Sequence, residues 1–410
     1  MMEQWTSALD NNNFSAAVLL DLSAAFDVVN IRLLLDKLKL YGFKDNVIRW
    51  LSSYLTDRQQ LVYIDGCFSD PVPVNIGVPQ GSILGPLMYI LFTNDFPEVV
   101  HDHEPNDTNI TPFNLPCHSC GGICCFADDS SFIISSQSPD DLKAKLESNY
   151  NAIANYMLGN KLALNSEKTQ FMVIASRNQH RRNNDNLDFQ LDTGSELVNA
   201  SGRARILGLN VSNDLSWNEH ILKNSKSLVK SLSFKINGLR KICTHADFKT
   251  RKLLANGMVG SNLVYMIQLY GQASDYLIKM LQVQQNKAAR IVTRLEWGTS
   301  THTLLKQIGW LSVQQLYVYH SLLLLWKIQT FKKPRFLEEQ FTRHFPYQTR
   351  RATSSCLSVS AKPRTELCRR SFVYSSTLNW NKLPYDLRIE TKLETFKAKL
   401  KIWVRNNIPQ

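Results

Sequence analysis

The chain has 410 residues, which is enough for two or three domains, and 44% of them are hydrophobic, as in an ordinary folded globular protein. Residues 1–200 contain 13 Lys and Arg against 24 Asp and Glu, whereas residues 201–410 contain 34 against 11, so the net charge of +12 divides into −11 and +23. The longest apolar run, residues 316–328, is interrupted by polar residues and is too short to cross a bilayer, so we expect a buried helix there.

The charge asymmetry supports two interpretations. An acidic half joined to a basic half is typical of a metal site beside a surface that binds a polyanion such as nucleic acid. Alternatively, two packed domains simply balance each other's charge. Residues 1–10 do not resemble a secretory signal, so we expect an intracellular protein with reduced cysteines. Cys117 and Cys120, with His118 and Cys124, have a zinc-like spacing, but no second pair follows, so we expect no zinc site.

The first predicted element is a buried strand over residues 16–22, an apolar run with Asp21 near its end. A turn, two amphipathic helices and a short strand that turns at Asp65-Gly66 are expected next, at residues 23–27, 31–40, 45–55 and 60–65.

A loop rich in glycine and proline follows at residues 75–86, ahead of a helix expected to run through Phe92. Glycine lets the backbone approach a ligand closely, and a helix N-terminus favours phosphate. The loop therefore either binds a phosphorylated ligand or is an ordinary connection. Residues 101–116 are polar and predict a surface loop.

Residues 124–134 predict a β-hairpin with two adjacent carboxylates, Asp128 and Asp129, at its tip. Adjacent acids between apolar strands are stabilised by a divalent cation, and Mg²⁺ prefers carboxylate oxygens. The alternative is a solvated turn, because Asp is common in turns.

Ser138, followed by proline and acids, predicts the start of a helix that runs to residue 158. Lys168 stands at the head of the next predicted strand. The later predicted elements are a strand (170–175), a polar loop (177–188), a strand (205–211), Lys-rich helices (222–328), a loop (331–367) and a last helix (393–404). Residues 14–211 thus alternate strands and helices irregularly, which predicts an α+β layer.

Five short motifs, in this order, resemble those of a reverse transcriptase, specifically the enzymes of non-LTR retrotransposons of the jockey-like type. They are Leu20-Asp21-Leu22-Ser23-Ala24-Ala25-Phe26-Asp27, Gly77-Val78-Pro79-Gln80-Gly81-Ser82, Phe126-Ala127-Asp128-Asp129, Asn165-Ser166-Glu167-Lys168-Thr169 and Ile206-Leu207-Gly208. Each motif alone is weak, but their order and spacing are specific. The resemblance covers nearly the whole chain.

The resemblance implies an α+β fold with a reverse-transcriptase palm, an antiparallel sheet with helices on one face, followed by an all-helical thumb and C-terminal region. We assign the palm, with a remnant of the fingers, to residues 1–212. The basic helical thumb is expected at residues 213–300, and a basic, mainly helical C-terminal region at residues 301–410.

The resemblance also implies an RNA-directed DNA polymerase, in which two Mg²⁺ ions, or Mn²⁺, help to join a primer 3′-hydroxyl to a deoxynucleoside triphosphate (dNTP). Asp21, Asp128 and Asp129 match the family's catalytic metal ligands. Lys168 matches a catalytic lysine near the triphosphate that acts as a general acid, or is a solvated loop residue.

Three residues match positions that contact the incoming dNTP. Phe26 matches the aromatic that blocks a ribose 2′-hydroxyl, or is a core residue, and Gln80 and Gly81 match a pair that lies against the nucleotide and template. The expected partners are an RNA template, a DNA primer and dNTP, without a membrane, in the cytoplasm and nucleus.

This family normally has an upstream fingers segment whose basic residues hold the triphosphate. Because residues 1–20 lack such cations, we expect an N-terminally truncated chain with little activity of its own. The alternative function is a catalytically silent relic that binds nucleic acid through its basic half.

Overall fold

The computed structural model describes residues 1–22, 24–100, 121–127, 129–182, 187–194, 196–342, 356–358 and 362–409. They form two units: Met1 with Asn11–Ala204, and Met2–Asp10 with Arg205–Gln410. The first helix, α1 (Met2–Asp10), therefore groups with the C-terminal half of the chain.

The first unit consists of strands and helices that alternate irregularly along the chain. Its strands are β1 (Phe14–Leu20), β2 (Arg58–Gln60), β3 (Tyr63–Ile64), β4 (Cys67–Phe68), β5 (Val72–Val74), β6 (Gly121–Phe126), β7 (Asp129–Ser136), β8 (Gln170–Ile174), β9 (Gln190–Asp192) and β10 (Leu197–Asn199). Its helices are α2 (Ile31–Leu40), α3 (Asp45–Leu55), α4 (Leu84–Phe92), α5 (Pro139–Gly159) and α6 (Arg177–Arg182), with a 3-10 helix at Phe96–Val99.

A four-stranded antiparallel sheet forms the centre of this unit, in the order β6-β7-β1-β8. The face that carries Val18, Phe132 and Phe171 shares one hydrophobic core with buried residues of α2 to α5. Ala17 and Ile133 point to the other face and are also buried. Burial of both faces explains why β1 is a continuous apolar run. The predicted α+β fold, with an antiparallel sheet and helices on one face, is confirmed.

The two predicted helices beside the sheet are confirmed, and side-chain caps fix their starts. The Asn30 side chain accepts a hydrogen bond from the Leu33 amide at the start of α2, and Ser138 does the same for Asp141 at the start of α5. Each such cap contributes about 1 kcal/mol.

A half-buried charge cluster joins α2, α5 and the segment after α4. Lys37 Nζ donates to Asp95 at 2.7 Å and to the Phe92 carbonyl at 2.8 Å, and the Tyr156 hydroxyl donates to Asp95 at 2.6 Å. Burial, followed by the neighbouring Asp95, raises the pKa of Tyr156, so this hydroxyl stays protonated.

Two local predictions in this unit are wrong. Residues 60–65 do not form one strand, because β2 pairs with β5 whereas β3 pairs with β4. Between these two pairs of strands, the Val62 amide donates a hydrogen bond to the Ser69 hydroxyl. The expected turn at Asp65-Gly66 does connect β3 to β4. The polar loop at residues 177–188 begins instead with α6, which starts at a reciprocal cap between Ser176 and Gln179. The predicted loop at residues 101–116, Cys117 and Cys120 lie outside the described residues.

The second unit is mainly helical. Beside α1 it contains β11 (Arg203–Ile206), which begins at the unit boundary, β12 (Leu209–Ser212), α7 (Leu228–Ile242), α8 (Phe248–Ala255), α9 (Ser261–Val264), α10 (Ile267–Tyr270), α11 (Asp275–Thr293), α12 (Thr301–Ile308), α13 (Val313–Phe331), α14 (Arg335–Thr342), α15 (Glu366–Arg369), α16 (Phe372–Asn381), α17 (Tyr385–Arg388) and α18 (Leu393–Asn407), with π-helical turns at Glu219–Lys223 and Asn256–Gly260.

Two further predictions need correction here. The single strand expected at residues 205–211 is a hairpin, because Leu207 and Gly208 take positive φ angles of 45° and 84° and turn the chain. The loop expected at residues 331–367 contains α14, whose first turn carries an ion pair between Arg335 and Glu339 at 3.0 Å, and also α15.

No helix among the described residues combines the length and the apolar character that a membrane span requires.

Candidate active site

The site is built around the end of β1, where Asp21 follows the last paired residue of the strand. The Asn165 amide donates to the Asp21 carbonyl at 2.9 Å, and Leu22 bridges to Leu164. The backbone of Asp21 is thus held by the segment that precedes β8. Its side chain remains 37% exposed, so an ion or a substrate can reach the carboxylate.

The segment that holds Asp21 also delivers Lys168 to it. The Asn165 carbonyl accepts from the Thr169 amide and hydroxyl, both at 2.9 Å, which folds the chain into a tight turn. Lys168 Nζ lies 3.3 Å from Asp21 Oδ2, although the lysine side chain is 67% exposed. An ion pair this exposed contributes at most about 1 kcal/mol, so the lysine is free to move to another anion.

The tip of the β6–β7 hairpin lies at the same edge of the sheet. Leu20 pairs with Ser130, so Asp21 and Asp129 are the next residues on two neighbouring antiparallel strands. Directly opposed Cα atoms in such strands are about 4.5–5.5 Å apart. Asp129 also pairs with Phe126 of the neighbouring strand β6. Asp128 lies outside the described residues, so its convergence with Asp21 stays a prediction.

The glycine-rich loop packs against the turn that follows Asp21. The Val78 amide donates to the Phe26 carbonyl and the Gly77 amide donates to the Val29 carbonyl, both at 2.8 Å. Gly77 has φ +79°, and a Cβ atom there would lie 2.6 Å from the Asp27 carbonyl oxygen. A glycine is therefore required for the loop to come this close to the turn.

Two of the predicted dNTP-contacting side chains are fixed by this packing. Gln80 Nε2 donates to Asp27 Oδ1 at 2.7 Å, and the half-buried Phe26 ring lies 4.6 Å, centroid to centroid, from Tyr89. Gly81 follows with φ +77°, and no described atom would lie within 4 Å of a Cβ atom there. The predicted site residues thus fall into two groups, Asp21 with Asp129 and Lys168, and Phe26 with Gln80 and Gly81. Asp27 lies on the turn six residues after Asp21.

Sequence reasoning missed two residues that shape the site. The Arg58 guanidinium donates to the Leu55, Ile76 and Gly77 carbonyls at 2.9, 3.1 and 2.5 Å, which ties the loop to the end of α3. The Asp27 carboxylate orients Gln80. The contacts from Arg58 to Gly77 and from Gln80 to Asp27 join residues that are 19 and 53 positions apart in sequence, so no local pattern reveals them.

A family model described as reverse transcriptase (RNA-dependent DNA polymerase) matches residues 4–261, more than half of the chain. The chain belongs to the reverse transcriptase family. The matched range includes every site residue predicted from the sequence, and the resemblance to jockey-like elements is confirmed by named relatives.

Two curated relatives of the chain come from Drosophila melanogaster. The probable RNA-directed DNA polymerase from transposon BS is 23% identical over 316 residues, which are 77% of this chain and 33% of the relative. The RNA-directed DNA polymerase from mobile element jockey is 24% identical over 300 residues, 72% of this chain and 30% of the relative. The chain therefore spans about a third of the length of the curated relatives it matches.

Among solved structures, the chain is similar to telomerases. Apo telomerase from Candida tropicalis matches with a TM-score of 0.40 and 15% identity, over 75% of this chain and 46% of that chain. Telomerase from Candida albicans with a fragment of telomeric RNA matches with a TM-score of 0.35 and 11% identity, over 78% of this chain and 51% of that chain.

Reverse transcriptases use divalent metal ions, and the donor atoms at the sheet edge fit such ions. The carboxylates of Asp21 and Asp129 supply the hard oxygen ligands that Mg²⁺ prefers. Among the described residues, which omit Asp128, no three His, Cys, Asp or Glu side chains already form a metal cluster.

Proposed function

We propose that this chain is the polymerase part of a jockey-like retrotransposon protein and transfers nucleotides from dNTP to a primer 3′-hydroxyl on an RNA template. The proposal is supported by the positions of Asp21 and Asp129, which are the next residues after the paired Leu20 and Ser130 on two neighbouring strands. Lys168 Nζ lies 3.3 Å from the Asp21 carboxylate. All three residues lie within the reverse transcriptase match.

In the proposed reaction the primer 3′-hydroxyl loses its proton to solvent water, and its oxygen forms a bond to the α-phosphorus of dNTP while the bond from that phosphorus to the pyrophosphate oxygen breaks. Asp21, Asp128 and Asp129 are the proposed ligands of two Mg²⁺ ions, for which Mn²⁺ can substitute. When bound, such ions activate the attacking oxygen and neutralise charge on the leaving group.

Lys168 is the proposed general acid for the departing pyrophosphate. Its weak, exposed ion pair with Asp21 supports this role, because little free energy is needed to release the ammonium group from the carboxylate. A triphosphate offers more negative charge than one carboxylate, so the lysine can exchange Asp21 for a phosphate oxygen. Donation of its proton to the leaving oxygen then completes the step.

Phe26, Gln80 and Gly81 are the proposed contacts for the nucleotide. The Phe26 ring packs on Tyr89 and cannot move away from a 2′-hydroxyl without losing that contact, which favours deoxynucleotides. Gln80 is oriented by Asp27, and the open surface at Gly81 lets a nucleotide or template approach the backbone.

The proposed partners are an RNA template and a DNA primer, held by a thumb at residues 213–300 and a C-terminal region at residues 301–410. The net charge of +23 over residues 201–410 supports phosphate contacts. Such nucleic acids are intracellular, so we expect the protein in the cytoplasm and nucleus. The family match and the named relatives favour this polymerase over a silent nucleic-acid-binding relic.

Primer extension on an RNA template with Mg²⁺ tests the proposal. The assay uses residues 1–410 and a fusion to the upstream segment of a related jockey-type polymerase, because the chain spans about a third of its relatives. We expect extension by the fusion, and its loss in Asp21→Asn and Asp128→Asn, which remove a metal-binding charge but nearly keep the shape. Asp140→Asn, an exposed carboxylate at the start of α5, is the matched control.

Extension that survives both Asp21→Asn and Asp128→Asn would show that the catalytic assignment is wrong. Absence of extension in both forms of the protein, with the template bound, would contradict the proposed function.

A further inference from the structure

We propose that a cavity in the second unit binds one unpaired nucleotide of a single-stranded nucleic acid, independently of the polymerase site. The cavity encloses about 360 Å³, within the size range of ligand pockets. It lies between the π-helical turn Asn256–Gly260, the start of α9, residues 309–311 and α13. π-helical turns are frequent at functional sites.

Two aromatic side chains line this cavity, Trp310 and Tyr319. The Trp310 indole N–H donates to Asn256 Oδ1 at 2.9 Å, which fixes the orientation of the ring. A fixed aromatic ring in an apolar cavity is the arrangement on which unpaired bases stack.

One cation lines the same cavity, and two more lie near that cation. Lys401 lines the cavity, and Arg405 donates to the Gly309 carbonyl at its wall, at 3.0 Å. Burial, followed by the charges of Arg405 and Lys252, lowers the pKa of Lys401, so the three groups are within electrostatic reach of one another. None of them forms an ion pair with a carboxylate of the described residues. A phosphate group would relieve this repulsion, and a nucleotide carries a phosphate beside its base.

Three polar side chains of the cavity wall are already paired within the protein. Asn256 accepts from Trp310, Gln285 Nε2 donates to the Leu311 carbonyl at 2.9 Å, and the Ser261 hydroxyl donates to the Gly257 carbonyl. Few groups remain to read the edge of a base, so binding should tolerate any base. Only an unstacked base can enter, which excludes a paired duplex from the cavity.

The test uses the full chain and fluorescence anisotropy with labelled single strands of about ten nucleotides, one of oligouridylate and one of oligothymidylate. Trp310→Leu should weaken binding by about fivefold or more, the loss expected when one base loses its stacking partner. Trp310→Phe should retain most of the affinity. Trp297→Leu, at a tryptophan that is 76% exposed elsewhere in the unit, is the matched control and should change little.

The charge arm compares Lys401→Gln with Lys399→Gln, which removes the same charge from the other side of α18, where Lys399 pairs with Glu390. Lys401→Gln should lower the salt slope of single-strand binding by about 0.7, the value for one released counterion, and Lys399→Gln should not. The relative loss with the RNA and the DNA strand identifies which nucleic acid the cavity takes.

A second measurement maps ultraviolet crosslinks between the single strand and the wild-type chain. The proposal predicts crosslinked peptides that contain Trp310 or Tyr319. Unchanged binding by Trp310→Leu with no such crosslink would overturn it, as would an equal loss of duplex binding. If Trp310→Leu does not fold, Trp310→Phe, Lys401→Gln and the crosslinks decide.

Discussion

The packing of the glycine-rich loop against the turn after Asp21 makes Gly77→Ala a sharp test of the site. The new Cβ atom would lie 2.6 Å from the Asp27 carbonyl oxygen and 2.9 Å from two further backbone atoms of Asp27. Backbone atoms cannot yield as a flexible side chain can, so the loop must separate from the turn. Separation breaks the hydrogen bonds from Gly77 to Val29 and from Val78 to Phe26.

The size of the effect follows from two contributions. Alanine with a positive φ costs about 1–2 kcal/mol, and each lost hydrogen bond costs about 0.5–1.5 kcal/mol, so Gly77→Ala should destabilise the closed loop by about 2–5 kcal/mol. Gly42→Ala is the matched control, because Gly42 has φ +84° and no described atom would lie within 4 Å of its Cβ atom. Gly42→Ala should therefore cost only the about 1–2 kcal/mol of an alanine with a positive φ.

Hydrogen exchange at the Val78 amide measures the opening of the loop directly. Since 1.4 kcal/mol corresponds to a factor of ten, Gly77→Ala should accelerate exchange there by between about 30-fold and several thousandfold, whereas Gly42→Ala should accelerate it by less than about 30-fold. Equal exchange at Val78 in the two variants would refute the close approach of the loop to the turn.

Three further predictions test single residues. Arg58→Met removes the hydrogen bonds to the glycine-rich loop and should raise the KM for dNTP in primer extension by about tenfold. Arg58→Lys should raise the KM as well, because lysine lacks the several N–H donors of the planar guanidinium group. An unchanged KM in both variants would contradict the role of Arg58 in anchoring the loop. Lys168→Met should lower the extension rate by about 100-fold, whereas Lys143→Met on α5 should not. Equal rates in the two variants would show that Lys168 is not the general acid. Burial lowers the pKa of His220 from 6.5 to about 4. As the pH falls below about 6.5, the histidine takes up a proton in the unfolded chain before it does so in the folded chain. The free energy of unfolding should therefore fall by at most about 3 kcal/mol between about pH 6.5 and pH 4. His220→Phe should reduce this pH dependence of stability in thermal unfolding, and substitution of the exposed His302 by Phe should not. A pH dependence that persists in His220→Phe would contradict the assignment to His220.

The sequence predicts the centre of the fold well because local signals and burial agree there. The apolar run before Asp21 fits a strand buried on both faces, and Ser138 caps α5 as expected. The apolar pattern at residues 205–211 predicts one strand, whereas the chain turns at Leu207-Gly208, because a positive φ at a leucine is rare and leaves no signal in the pattern. α14 was missed because proline and arginine around it favour a loop, whereas ion pairs such as Arg335 with Glu339 stabilise a helix.

The sequence also predicts the candidate site only in part. Motif matching named Asp21, Lys168 and Gln80, but not the contacts that orient them. Gln80 is held by Asp27, 53 residues away in sequence, and no local pattern reveals such a pair. Likewise, α1 has an amphipathic sequence, but its place in the second unit depends on tertiary contacts such as the one between Asp10 and Thr365, 355 residues away.

The central claim is that Asp21 and Asp128 share metal ions at the sheet edge. An experimental structure of the polymerase fusion with primer, RNA template, dNTP and Mg²⁺ tests it most directly. We predict that both carboxylates coordinate a common ion at about 2.1 Å, next to the triphosphate. Carboxyl groups more than about 8 Å apart, twice the usual spacing of two catalytic metals, would contradict the account.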